Sequence, residues 1–159
     1  MFIRRKSFLA AILVLFLVFP VWAGTFSGKV VAVTDGDTIK VMHQGRAERV
    51  RLAGVDCPEK HQAFSKKAKQ FTAGLAMGQE VNVIAQKKDR YGRTLGYVIL
   101  PDGRNLNREL VQAGYAWWYR QFSSDSSLGE LENGARAARR GLWQDPHPVP
   151  PWEFRRNRR

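Results

Sequence analysis

The chain has 159 residues, 44% of them hydrophobic, and carries 26 lysine and arginine residues against 14 aspartate and glutamate residues. This composition excludes a disordered chain and is typical of one globular domain with one core. The formal net charge of +12 predicts a partner that is a polyanion, such as nucleic acid, anionic lipid or acidic polysaccharide, although a basic surface also serves solubility alone.

The first 23 residues have the order of a secretory signal peptide. Three basic residues, Arg4 to Lys6, precede an apolar run from Phe8 to Phe19, and Val21 to Ala23 supplies a cleavage site. We predict cleavage after Ala23 and a secreted or periplasmic mature protein. An uncleaved anchor is the alternative, but the run is shorter than the roughly 20 residues that span a bilayer, so we expect no stable membrane anchor after cleavage.

The rest of the sequence alternates between strand and helix patterns. Five runs with alternating apolar residues predict strands at residues 26–33, 38–42, 48–54, 80–85 and 94–100. Helical spacing predicts helices at residues 65–77, at 106–113 with Asn105 as the cap, and at 126–140. The order predicts a mainly β fold with α-helices: a five-stranded OB-fold barrel with about three packed helices, spanning residues 24–143.

The remaining segment, residues 144–159, is rich in proline, tryptophan and arginine. Its composition predicts a non-helical tail whose arginines add to the basic surface. Trp152 and Phe154 are candidates to dock on the barrel. The single cysteine, Cys57, excludes an internal disulfide, so the fold must stand on its own core.

Two carboxylates lie where predicted strands begin or end. The stretch VTDGDTIKV, residues 33–41, places Asp35-Gly36-Asp37 inside a strand pattern, and Asp56 follows another strand. Asp37 and Asp56 could each be an ordinary turn residue, since aspartate is common where strands end. Each could also be a metal ligand, because Ca2+ prefers carboxylate oxygens and neighbouring strand ends could form one site.

Three further residues fit the hydrolysis of a phosphodiester. Arginine stabilises the negative charge that develops on phosphoryl oxygens, because its planar guanidinium donates two hydrogen bonds at once. Arg51 and Arg93 are the candidates for this role. Glu59 is the candidate partner of an attacking water. Each residue also has a duller interpretation as a solvated surface side chain.

The motifs VTDGDTIKV, VRLAGVDCPE, DRYGRTLGYV and LNRELVQAGYAWW resemble, in this order, those of the staphylococcal-nuclease-like (thermonuclease) family. The resemblance implies an OB-fold barrel, Ca2+ dependence and hydrolysis of both DNA and RNA. It assigns the calcium carboxylates to Asp37 and Asp56, the phosphate-contacting arginines to Arg51 and Arg93, and the catalytic glutamate to Glu59.

The sequence departs from this family at two places. Cys57 stands where familiar members have threonine; the resemblance implies a backbone carbonyl ligand there, so the site survives, but a free thiol near a metal invites oxidation. The base-stacking aromatics do not align without a gap. Tyr119 and Phe122 are the candidates, while Trp117 and Trp118 are predicted to pack in the core.

Two functional classes follow from these residues. The first is a secreted, calcium-dependent nuclease, expected as a monomer. The second is a catalytically silent OB-fold module that binds nucleic acid or another polyanion. A mere binder gains nothing from carboxylates in a phosphate site, where they repel the ligand unless a cation intervenes. The five residues together therefore favour the nuclease.

Overall fold

The computed structural model describes residues 24–158. The predicted signal peptide, residues 1–23, lies outside the described residues. Its cleavage therefore stays a prediction.

Within residues 24–158, seven strands form a closed barrel and a small ribbon beside it. Five of them close the barrel in the order β1-β2-β3-β6-β5, in which only the β3–β6 pair is parallel, and β4 pairs with β7 in the ribbon. The five-stranded barrel predicted from the sequence is confirmed. The strands are β1 (Thr25–Asp35), β2 (Thr38–His43), β3 (Arg46–Leu52), β4 (Val55–Asp56), β5 (Glu80–Lys88), β6 (Thr94–Ile99) and β7 (Trp117–Trp118).

The barrel interior is filled by branched apolar side chains from every strand. Alternate residues along each strand point inward, and inward positions are buried while their neighbours are not. Burying such side chains is the main stabilising term of the fold. The side chains at the centre of the barrel interior, each from a residue 1% exposed or less, are Val30, Ile39, Val41, Val50, Val83 and Val98.

Residues 24–158 also contain four α-helices and one 3₁₀ turn. They are α1 (Ser65–Ala76), α2 (Leu106–Gln112), α3 (Ser126–Ala137), the 3₁₀ turn (Gly141–Gln144) and α4 (Pro151–Arg156). Asn105 caps α2 as predicted, because its side chain accepts from the backbone N–H groups of Asn107 and Arg108. Among residues 24–158, no helix is both long and apolar enough to cross a membrane.

Several predicted boundaries were wrong. The strand predicted at residues 48–54 ends at Leu52, because Gly54 takes a φ of 75° and turns the chain from β3 into β4. Helix α3 stops at Ala137, since Arg139 adopts a positive φ of 49° that ends the helix. Strand β5 continues to Lys88, past the predicted end at residue 85, with a register shift against β6 near Ala85.

The prediction of a non-helical tail was also wrong. The prolines precede the helix rather than interrupt it: Pro151 stands at the start of α4, where its missing N–H costs nothing. Trp152 then packs on a second apolar cluster built around Trp117 and Trp143. Trp117 is buried as predicted, whereas Trp118 is only partly buried against the main core.

Candidate active site

One open groove runs across the barrel and is lined by every side chain assigned above. Its floor carries carboxylates and arginines, and its rim is basic, with lysines from α1 and from β5. The barrel thus gathers residues that are far apart in the sequence onto one surface. The predicted site residues that line it are Asp37, Arg51, Asp56, Cys57, Glu59, Arg93, Tyr119 and Phe122.

The turn between β1 and β2 holds Asp37 under the groove. Asp35 Oδ1 accepts the Asp37 backbone N–H at 3.2 Å, which closes the turn. Asp37 is only 6% exposed, and its Oδ2 accepts the backbone N–H of Cys57 at 2.7 Å. Asp35 therefore forms the turn and Asp37 is the carboxylate directed into the site.

Glycine is required at position 36 because the turn leaves no room for a side chain there. A Cβ at this position would lie 2.8 Å from both the Ala68 Cβ and the Cys57 Sγ, well inside van der Waals contact. The Gly36 carbonyl also accepts the Thr72 hydroxyl at 2.5 Å, which fixes the turn to α1. The glycine thus lets the aspartate turn lie directly on the helix.

Strand β4 places Asp56 opposite Asp37. Val55 pairs with Trp118 and Asp56 pairs with Trp117, so the bend at Gly54 brings β4 against β7. Asp56 therefore lies next to the apolar cluster that contains Trp117. Asp56 is 1% exposed. Asp37 and Asp56 are thus both buried although they lie at strand ends, because arginine side chains pack against them.

Arg51 joins the two carboxylates. Its Nη2 lies 3.1 Å from Asp37 Oδ2 and 2.9 Å from Asp56 Oδ1, and its Nη1 donates to the carbonyl oxygens of Leu52 and Val55 at 2.7 and 2.8 Å. Both Nη1–H groups and one Nη2–H group donate hydrogen bonds, while the contact of Nη2 with Asp37 is an ion pair. Nε–H makes no hydrogen bond to the residues that the structure describes, which leaves this donor for a ligand.

Burial and charge shape the electrostatics of this cluster. Burial raises the pKa of Asp56 to about 6, although hydrogen bonds from Arg155 and the charge of Arg51 favour its ionised form. Although part of its side chain is exposed, partial desolvation and the Asp37 charge raise the pKa of Asp35 to about 7. Crowded carboxylates of this kind indicate a site short of positive charge.

The pair Asp37 and Asp56 fits a hard cation. Within residues 24–158, no three His, Cys, Asp or Glu side chains converge as a complete ion site, so the fit depends on two carboxylates. Among the described contacts, Asp37 Oδ1 receives only the Thr38 hydroxyl at 3.3 Å and Asp56 Oδ2 only Arg155 at 2.9 Å. An acceptor position remains on each oxygen, since each can accept about two donors.

A cation held by these two carboxylates would need further oxygen ligands to complete its coordination shell. Ca2+ binds carboxylate, carbonyl and water oxygens at about 2.3–2.6 Å. The Cys57 carbonyl stays a predicted ligand; the structure shows only that its own N–H is tied to Asp37. The Cys57 thiol itself is buried, and burial raises its pKa well above the usual range. The expected sensitivity to oxidation is therefore not supported.

Glu59 lies on the loop that follows β4. Its backbone N–H donates to Gln62 Oε1 at 2.9 Å, and its side chain is 37% exposed toward the groove. A partly exposed carboxylate in the groove beside Asp56 is placed to receive a hydrogen bond from a water molecule. The position suits the predicted role.

Arg93 is held by the hairpin between β5 and β6. Asp89 accepts the Arg93 backbone N–H at 3.0 Å and its Nε–H at 2.7 Å, so the terminal guanidinium nitrogens point away from this ion pair. These hydrogen bonds outweigh the effect of burial and lower the pKa of Asp89. The guanidinium also lies 5.4 Å from the Tyr91 ring centroid.

The two candidate aromatic residues contact each other in the lining of the groove. Tyr119 and Phe122 meet edge to face at 4.6 Å, and Phe122 is 69% exposed. Trp152 stacks on Tyr119 at 5.3 Å, with the two rings 2° from parallel. One face of Tyr119 is therefore covered, while Phe122 offers an open ring.

Sequence reasoning missed two groove residues. Tyr91 is 61% exposed and lines the groove beside Arg93; its position in DRYGRT, between two arginines, was the signal that could have found it. Arg155 contacts both Asp56 and Glu59. No local pattern pointed to it, because it follows Asp56 by 99 residues.

A closed barrel with paired carboxylates and arginines in a basic groove defines a protein built to bind phosphate beside a cation. Comparison with known proteins agrees. The family model "Staphylococcal nuclease homologue" matches residues 49–145. The chain belongs to this family, which is metal dependent, and is a nuclease that hydrolyses phosphodiester bonds in nucleic acid.

Individual relatives extend the likeness over most of the chain. An uncharacterized endonuclease of Escherichia coli O157:H7 is 46% identical over 144 residues, which cover 90% of this chain and 94% of the relative. The micrococcal nuclease of Shigella flexneri is 45% identical over 157 residues, which cover 92% of this chain and 90% of the relative. An uncharacterized endonuclease of Haemophilus influenzae is 37% identical over an alignment that covers 97% of this chain and 87% of the relative.

Proposed function

We propose that the protein is a calcium-dependent endonuclease that cleaves both DNA and RNA in the groove described above. The observation that carries the proposal is the convergence of Asp37 and Asp56 on one guanidinium nitrogen, with Glu59 and Arg93 lining the same groove. Two buried carboxylates beside a phosphate site suit a hard cation with oxygen ligands, and the family resemblance points to calcium among such cations.

Each side chain has a defined part in this proposal. Asp37 and Asp56 hold the ion, which when bound would polarise a phosphoryl oxygen. Glu59 orients the attacking water or takes its proton. Arg51, through Nε–H, and Arg93, through its terminal nitrogens, stabilise the charge that develops on the phosphoryl oxygens, and Arg93 assists the departing oxygen.

Aromatic side chains that line the groove would bind the bases. Tyr91 and Phe122 have exposed rings, and base stacking on such rings tolerates any sequence. Tyr119 supports Phe122 through its edge contact. The lysines at the rim collect the polyanion, so binding should weaken as salt increases.

The alternative, a catalytically silent OB-fold module, is less well supported. Several relatives are named as nucleases or endonucleases. The geometry also disfavours it, because a groove that only binds phosphate is weakened by the carboxylates of Asp37, Asp56 and Glu59.

The test is cleavage of plasmid DNA and of RNA by residues 24–159, first with Ca2+ and then with a chelator. We expect cleavage of both substrates with Ca2+ and none after chelation. Asp37→Asn and Asp56→Asn should lose both cleavage and calcium binding by calorimetry. Full activity in chelator, or wild-type calcium binding in both variants, would contradict the proposed site.

Export completes the proposal. The order of basic, apolar and small residues before Gly24 supports a secreted or periplasmic protein without a stable membrane anchor, and we expect it to be a monomer. N-terminal sequencing of exported material should begin at or near Gly24. An intact Met1 in the membrane fraction would overturn this assignment.

A further inference from the structure

The C-terminal helix α4 carries Arg155 into the groove. Arg155 Nη2 donates to Asp56 Oδ2 at 2.9 Å, and Nη1 lies 3.3 Å from Asp56 Oδ1. The same Nη1 donates to Glu59 Oε1. One planar guanidinium therefore bridges a proposed metal ligand and the proposed partner of the attacking water.

Packing determines where this arginine lies. Trp152, one turn earlier on α4, stacks on Tyr119 and meets the Trp117 ring edge-on at 5.6 Å. Ahead of α4, the Val149 carbonyl accepts Gln62 Nε2 at 2.6 Å. Since Gln62 also accepts the Glu59 N–H, the tail contacts the Glu59 loop at two separate points.

The contacts form one chain of alternating charge. Asp37 pairs with Arg51, Arg51 with Asp56, Asp56 with Arg155, and Arg155 with Glu59. Glu59 stands on a loop between β4 and α1 and is 37% exposed, so without a partner its carboxylate would be free to change rotamer. A planar fork with two occupied nitrogens removes much of that freedom.

We propose that Arg155 is a positioning residue that orients the Glu59 carboxylate relative to Asp56, so that the C-terminal helix completes the active site. The inference rests on the proposed function, because it assigns Arg155 an effect through Glu59. Misplacement of a reacting group by about 1 Å can cost roughly 10²-fold in rate, which sets the scale of the expected loss.

Single-turnover cleavage of a short labelled DNA at saturating Ca2+ tests the inference. We expect Arg155→Gln to slow cleavage about 10- to 100-fold with DNA affinity within a few-fold of wild type. Arg155→Lys keeps the charge but loses the fork, so it should recover only part of the rate. Arg156→Gln removes the same charge from the exposed side of α4 and should leave the rate unchanged.

A double-mutant cycle with Glu59→Gln separates positioning from other roles. If Arg155 acts through Glu59, Arg155→Gln should add little loss in the Glu59→Gln background. Fully additive losses would overturn the inference in favour of direct phosphate contact. A rate equal to wild type would reduce Arg155 to a structural ion pair, and a faster rate would mean that it blocks the groove.

The same assay distinguishes failure of the inference from failure of the proposed function. If Glu59→Gln cleaves like wild type, the proposed catalytic role of Glu59 fails and the inference fails with it. If Glu59→Gln is inactive while Arg155→Gln cleaves like wild type, only the inference fails. Thermal unfolding of each variant ensures that all rates are compared on folded protein.

Discussion

Arg51 and Arg93 differ in their surroundings although they share a proposed role. Arg51 is buried, with a side chain 12% exposed, and its guanidinium makes three hydrogen bonds and a further ion pair with the protein. Arg93 is twice as exposed and is held through Nε and its backbone by Asp89. The first arginine therefore supports the structure of the site as well as its chemistry.

Lysine substitutions should separate these two contributions. Arg51→Lys and Arg93→Lys each lose a planar fork, so each should lower the single-turnover rate by on the order of 10². Arg51→Lys should also lower the free energy of unfolding by roughly 2–4 kcal/mol, because it breaks a buried network. Arg93→Lys should lower it by less than about 1 kcal/mol.

Urea denaturation alongside the kinetics measures both effects. A stability loss of equal size in the two variants would show that the buried contacts of Arg51 are worth no more than a surface pair. Wild-type rates in both would remove the arginines from the catalytic set.

The turn between β1 and β2 is the structural element on which the site depends most. It bears directly on α1, where Ala68 and Thr72 are fully buried against it. A change at the turn therefore moves Asp37 relative to the rest of the groove.

Two glycine-to-alanine substitutions test this packing. Gly36→Ala should destabilise the protein by about 1–3 kcal/mol and impair cleavage, because its Cβ would meet Ala68 and Cys57 at 2.8 Å. Gly74→Ala is the matched control: it lies on the exposed side of α1, and an added Cβ would meet no atom within 4 Å, so it should stabilise by about 0.5–1 kcal/mol. Unfolding midpoints in urea decide the comparison, and a neutral Gly36→Ala would contradict the steric account.

At the scale of the whole molecule, the sequence predicted the barrel because its signals are local. Alternation marked the strands, and glycines and asparagine marked the turns and the cap of α2. The groove residues were predictable because the motifs that carry them are contiguous. Asp37, Arg51 and Asp56 each stand in such a motif.

What the sequence did not predict depends on distant contacts. The helix α4 forms because Trp152 packs on Trp117, and tail composition alone suggested an extended chain. The place of Arg155 depends on that docking. The burial of Asp37 and Asp56 follows from the bend at Gly54 and from arginines of two separate segments, which no local pattern encodes.

The central claim is that cleavage depends on Glu59 in this groove, and single-turnover hydrolysis of a short labelled DNA at saturating Ca2+ tests it most directly. We predict that Glu59→Gln, which keeps size but loses charge, cleaves about 10²- to 10³-fold more slowly than wild type while binding DNA within a few-fold. Cleavage by Glu59→Gln within a few-fold of the wild-type rate would contradict the account.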